Sequence, residues 1–350
     1  MRASLLVFLA IGACACGSSS DQGGDAGSTA DSGPTGDAAP QNDSGGSGDG
    51  GSTPDGSSGT SKVVFVIPME NKGMLQIYND TTDAPYITGT LLKNYAHTIN
   101  FGDELPSLNS EPHYIWMESG TNAFSDHTFT TDNDSSSSNS TSSTAHLSTQ
   151  LDAANISWTS YQEDMKPGTC PIGSNVSTTS FYATKHNPFV FFQDVSGAPP
   201  SASNARCIAH HKPITALAAD LKNSAVAQFN FVTPNLCHDM HGDANCTQGT
   251  ATAGNIKAGD DWLKANLQPI VDYALAHDGY VFITWDEGDS TNLIPFIAIG
   301  KHSIAGHPGS VQYTHSSMLK SEEEILGVPV LSTVTSANDF ADLFDPGTFP

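Results

Sequence analysis

Two acidic clusters stand where buried strands should end. Residues 63–67 (Val-Val-Phe-Val-Ile) form a short β-branched run of the kind that fills the middle of a parallel sheet covered on both faces. Pro68 cannot donate to a ladder, so the strand should stop there, and Glu70 and Asn71 follow at once. Residues 280–285 (Tyr-Val-Phe-Ile-Thr-Trp) repeat the arrangement and run into Asp286 and Glu287, with Gly288 and Asp289 behind. In open α/β sheets the ligand site lies beyond the carboxyl ends of the strands. If the two strands are close in the sheet, Glu70, Asn71, Asp286 and Glu287 offer an oxygen-rich cage for one divalent cation. The competing reading makes each cluster a solvated polar turn.

Ser110 is the candidate nucleophile. Ser110-Glu111-Pro112 has the composition of a helix start, and a hydroxyl there sits in the positive field of the helix terminus. That field favours an alkoxide or a bound phosphate, and contact with a metal would activate it further. The plain alternative is an N-cap serine. Histidines supply a further set: Lys185-His186-Asn187-Pro188, Cys237-His238-Asp239-Met240-His241, and His315. None shows the i, i+4 helical spacing of a zinc protease.

The elements that must position these groups alternate in type. Strands are expected at 229–233, 280–285 and 296–299, and helices at 84–97, from Ser110 to Gly120, at 260–277 and at 316–326. Residues 132–144 are rich in Ser, Asn and Thr and read as a surface loop. The alternation indicates an α/β fold with a mostly parallel central sheet.

The chain before the first strand cannot build a core. Residues 1–16 carry Arg2 and then an apolar run too short to span a bilayer, followed by Ile11-Gly12-Ala13-Cys14. This looks like a lipoprotein-type signal that leaves Cys14, or else Cys16, for acylation; an ordinary secretory signal is the alternative. Residues 17–61 hold no aromatic and no large aliphatic side chain, and Asp recurs every sixth position from Asp25 to Asp55. Without the glycine and apolar pattern of a calcium roll, this is a solvated tether, reaching roughly 35–40 Å as a Gly-rich coil. The reading is an exported protein, secreted or held at a membrane by a lipid anchor, with one domain over 62–350.

Lys and Arg total 13 against 37 Asp and Glu, a formal charge of −24. An acidic surface argues against nucleic-acid binding but leaves room for a locally positive phosphate site. Four cysteines remain beyond the leader, and an even count in an exported chain favours disulfides. Of three connectivities, neighbour pairing is preferred: Cys170–Cys207 and Cys237–Cys246.

Several stretches together resemble a bacterial phosphoesterase family. They are V-I-P-M-E-N at Glu70, S-E-P-H-Y-I-W-M-E-S-G from Ser110, K-H-N-P from Lys185, P-N-L-C-H-D-M-H from Pro234, T-W-D-E-G-D from Thr284, and the run H-S-S-M-L-K-S-E-E-E-I-L-G-V-P from His315. The family groups secreted acid phosphatases with phospholipases C inside the alkaline-phosphatase-like superfamily. The resemblance implies that fold, one divalent metal held by Glu70, Asn71, Asp286 and Glu287, and Ser110 as nucleophile and metal neighbour. Hard oxygen ligands favour Mg, Ca or Mn, while nearby histidines leave Zn or Fe open.

This chain departs from the family at Leu108-Asn109, where the family usually has His-Pro, and at His113, which replaces an Asn. The expected chemistry is phosphomonoester hydrolysis through a phosphoserine. Asn71, Lys185 and His186 would donate to the phosphoryl oxygens, His186 or His238 would protonate the leaving group, and Asp239 would orient His238. The substrate would be a small-molecule or lipid phosphate ester, phosphoinositides included, and the protein a monomer. Two other readings remain: a phosphodiesterase or phospholipase C on the same fold, and a non-catalytic surface lipoprotein that binds phosphorylated ligands.

Overall fold

In the computed structural model, which describes residues 62–246 and 252–350, the first apolar run forms strand β1 (Val64–Met69), buried along its whole length. The other strands are β2 (Ala96–Thr98), β3 (Trp158–Gln162), β4 (Asn175–Val176), β5 (Phe181–Tyr182), β6 (His211–Pro213), β7 (Phe229–Thr233), β8 (Tyr280–Trp285), β9 (Phe296–Gly300) and β10 (Pro308–Gly309). Eight make one sheet in the order β10-β2-β9-β8-β1-β7-β3-β6, and β4 pairs with β5 in a separate ribbon. β1 lies between β7 and β8 and is parallel to both, which explains its unbroken apolar composition. β9 reverses the direction, running antiparallel to β8 and β2. This is the expected α/β architecture with a mostly parallel central sheet. The signal, Cys14, Cys16 and the tether at 17–61 lie outside the described residues.

Helices differ from expectation at four places. Over 84–97 there is no continuous helix: a π-helical turn (Ile87–Leu91) leads to a short helix (Leu92–Asn94), and Ala96 then enters β2. Ile87 and Leu91 bury the expected face, but pairing with β9 and β10 captures the end of the segment. The helix Ser110–Ser119 starts and stops where expected, with Gly120 closing it at φ 65°. Its N-cap is Asn109 rather than Ser110. The serine is thereby the first helical residue, and its hydroxyl is not consumed in capping. The third helix, Thr252–Ala276, begins eight residues before the expected 260 and accommodates Pro269.

The late helix, His315–Leu326, begins one residue early behind a Thr314 capping box. The loop at 132–144 is irregular but not wholly solvated: Ser135, Asn139, Ser140 and Thr141 are buried. Both disulfides join the cysteines expected, Cys170–Cys207 and Cys237–Cys246. Among the described residues no helix is long and apolar enough to cross a membrane.

Candidate active site

The register of the central ladder assembles the acidic cluster. Met69 is opposite Trp285, so Glu70 and Asp286 leave the sheet side by side. The Asp286 amide donates to the Met69 carbonyl at 3.0 Å, and the Asn71 amide donates to Asp286 Oδ1 at 3.0 Å. Asn71 turns the chain with φ 53°, a left-handed conformation that asparagine tolerates better than most residues. The Ser110 hydroxyl donates to Glu70 Oε2 at 3.1 Å, with Glu287 Oε1 3.5 Å away. Glu70, Asn71, Asp286, Glu287 and Ser110 are therefore brought together, as the spacing at two strand ends suggested.

Electrostatics give the cluster its character. Glu70 and Asp286 are fully buried. Burial, and then the charge of Glu70, push the Asp286 carboxyl up to about 8. Burial, and then Asp286, raise Glu287 to about 8. Three oxygens here, Glu70 Oε1, Asn71 Oδ1 and Asp286 Oδ2, are buried without a hydrogen-bond partner. An unsatisfied buried polar atom costs about 1–3 kcal/mol, more for a charged one. Unpartnered oxygens at one sheet end have the donor chemistry a hard divalent cation takes, and such an ion would relieve the carboxylate repulsion. A second grouping shares Glu70: ligand atoms of Glu70, His186 and His241 lie within 4.8 Å of one another. Its nitrogen content suits zinc or iron better than magnesium.

The histidines divide. His186 is buried and stacked on Tyr114, with ring centroids 5.0 Å apart. Its Nε2 stands 3.0 Å from Glu70 Oε1 and its Nδ1 3.1 Å from Asp239 Oδ2, both without hydrogen-bond alignment. Burial pushes His186 down to about 4. Burial raises Asp239 to about 6 against the pull of that ring. Asp239 thus faces His186, and the expectation that it orients His238 is corrected. His238 is held instead by Glu163, its Nδ1 2.9 Å from Oε1. There it lines a groove of about 630 Å³ with Leu217, Leu221 and Trp262, none of them a site residue.

Lys185 lies at the serine. Its Nζ donates to Asp132 Oδ2 at 2.8 Å, contacts His241 Nε2 at 3.0 Å and reaches Ser110 Oγ at 3.5 Å. Burial would lower this amine, but Glu70 and Asp132 outweigh it and hold Lys185 above its usual value. Asn71, Lys185 and His186 all reach the serine or its neighbours. Lys72 is a second internal cation, lowered by burial, whose Nζ donates to the Met240 carbonyl at 2.8 Å. It ties the Glu70 turn to the 237–246 loop.

Residue-level reasoning assigned no part to His241, Asp132 or Lys72. His241 was visible three positions after His238. Met240, at φ 82°, turns the chain between them so that only the second faces Lys185. Asp132 carried no signal, being one acid at the edge of a polar loop.

Comparison with known proteins identifies the family. A model of the Phosphoesterase family matches residues 88–329. The phosphatidylinositol-3-phosphatase of Mycobacterium tuberculosis is 26% identical over 285 residues, covering 80% of this chain and 82% of the relative. The phosphate-repressible acid phosphatase of Penicillium chrysogenum is 34% identical over 191 residues, 52% of this chain; the match spans 42% of that relative's length. Among solved structures, an inactive variant of murine ectonucleotide pyrophosphatase/phosphodiesterase 5 in complex with AMP superposes with a TM-score of 0.53. It is 10% identical, covering 81% of this chain and all of that one, a likeness of fold.

Proposed function

The chain belongs to the phosphoesterase family and is a hydrolase of phosphoric ester bonds; from that premise we propose that it is an exported acid phosphatase working through a phosphoserine at Ser110. The observation that carries this reading is the setting of one hydroxyl. Ser110 is the first residue of a helix, hydrogen-bonded to the buried Glu70 and within reach of the Lys185 ammonium.

Ser110 Oγ gives its proton to the carboxylate side and attacks phosphorus opposite the ester oxygen. The P–O ester bond breaks as the Oγ–P bond forms. Lys185 and the amides at the helix start donate to the phosphoryl oxygens, with Asn71 and His186 beside them. His241 keeps its Nδ1–H on the Gly242 carbonyl and its Nε2 lone pair for the Lys185 ammonium, so it holds that donor in place, and the leaving oxygen takes its proton from solvent water. His238, turned to Glu163, is not used. Water then attacks the phosphoserine, returning Ser110 and phosphate. A divalent ion bound by Glu70, Asn71, Asp286 and Glu287 would supply Lewis-acid neutralisation of the phosphoryl charge.

The substrate is a small-molecule or lipid phosphate monoester. The relative named as a phosphatidylinositol-3-phosphatase supports a phosphoinositide among the candidates. The leader and tether support export with lipid anchoring, and two disulfides suit an oxidising compartment. The deciding experiment assays para-nitrophenyl phosphate beside its bis ester and acid-quenches the reaction to locate bound phosphate. Monoester preference with label on Ser110 is expected. A preference for the diester would move the reading to a phosphodiesterase or phospholipase C, and no turnover under any metal would make the protein a binding lipoprotein.

A further inference from the structure

His113 stands where the sequence departs from its family, and its surroundings give it a role. It is fully buried on the Ser110 helix. Its Nε2 lies 2.9 Å from Asp103 Oδ1, and its Nδ1 lies 2.8 Å from the Asn109 carbonyl. Both partners are oxygens that only accept. A neutral imidazole has one N–H and one lone pair, so it would set a lone pair against an oxygen at one of the two contacts. Both contacts are satisfied only if both ring nitrogens carry protons. Asn109 is the residue whose carbonyl joins the peptide to the Ser110 nitrogen, and Asp103 also accepts from the Leu105 amide at 2.8 Å. The pair therefore links the 99–109 segment to the peptide bond that carries the nucleophile.

We propose that His113 is a standing imidazolium, a positioning residue that clamps the Asn109–Ser110 peptide and lends positive charge to Asp286 and Glu287. The charged groups facing it support this. Asp103 comes from the preceding loop, Asp286 and Glu287 from the end of β8, and His315 from the late helix. Against the burial of the ring, Asp103, Asp286 and the Asn109 carbonyl hold His113 up to about 9, while burial keeps His315 down at about 4 and uncharged. In return His113 pulls the Asp286 and Glu287 carboxyls downward against their burial. The cation is built into the helix, needs no ligand, and is present across the acid and neutral range.

The test has three arms, of which only the kinetic one rests on the phosphatase reading. In the chain labelled with 15N-histidine, the His113 ring nitrogens should both show N–H at pH 7. A single protonated nitrogen there overturns the proposal. In calorimetry with Mn2+ alone at pH 8, repeated in buffers of different ionisation enthalpy, His113→Gln should release more protons per ion bound, because Asp286 and Glu287 hold theirs more tightly without the imidazolium. An unchanged proton count indicates a merely structural residue and also overturns it. In kinetics, His113→Gln should lose roughly 10- to 100-fold in kcat with little change in KM. Asp103→Asn keeps the ring but frees it to titrate towards ~6.5, so activity should fall as pH rises through that value. If His113→Gln does not fold, Asp103→Asn and the wild-type spectrum decide. If spectrum and calorimetry hold while no variant or wild-type chain hydrolyses phosphate esters, the functional reading fails and this one stands.

Discussion

Met69 of β1 lies opposite Trp285 of β8 in a parallel ladder, and this single register sets Glu70 beside Asp286 across more than two hundred residues of chain. A slip of β1 by one residue against β8 would carry Glu70 out of step with Asp286 and leave Ser110 without its acceptor.

Ser110→Ala should fold normally and lose turnover by roughly 10³-fold or more, since the attacking atom is removed. Circular dichroism would show native structure, and phosphate binding should persist. Retention of most of the rate in the alanine variant would falsify the covalent route.

Lys185→Gln removes the ammonium between Asp132 and the serine. Because the amine touches the place of the phosphoryl oxygens, both KM and kcat should suffer, by roughly 10²-fold in kcat/KM. Steady-state kinetics on para-nitrophenyl phosphate measure this, and an unaltered kcat/KM would remove Lys185 from the site.

Chelation should abolish activity and added divalent ion should restore it. Asp286→Asn removes one charge from the oxygen set and should weaken Mn2+ binding in calorimetry at least tenfold. A chelated protein with full activity would show that the unpartnered oxygens are satisfied by protons alone.

The two disulfides should separate stability from activity. By loop closure, Cys170–Cys207, spanning 37 residues, contributes about 4 kcal/mol, and Cys237–Cys246, spanning 9, about 3 kcal/mol. The shorter loop carries Asp239 and His241. Cys246→Ser should therefore cost less in a denaturant melt than Cys207→Ser yet reduce turnover more. The opposite ranking would place the chemistry elsewhere.

Stability should fall as pH rises. Burial raises Glu111 to about 7 and Glu323 to about 8, so both hold protons more tightly in the folded chain than in the unfolded one. Their contribution is fully present below the ordinary carboxylate value near ~4.5 and is lost as pH climbs through 7 to 8. Urea melts at pH 5 and pH 8 should show the higher midpoint at pH 5, and Glu323→Gln should narrow the difference. Equal midpoints would show that other groups compensate.

The linear chain determined a good deal here. Apolar runs of five or six residues ending in carboxylates located β1 and β8, because a strand covered on both faces cannot carry charge until it leaves the sheet. Cysteine parity and proximity led to the disulfides. Glycine after the Ser110 helix marked its end at Gly120. Tertiary structure decided what depended on direction and distance. Which of His238 and His241 meets Lys185, whether Asp239 faces one histidine or another, and whether His113 has acceptors at both nitrogens all depend on loop backbone angles and side-chain rotamers. Those are set by packing of segments far apart in sequence, and no local pattern of residue types encodes them.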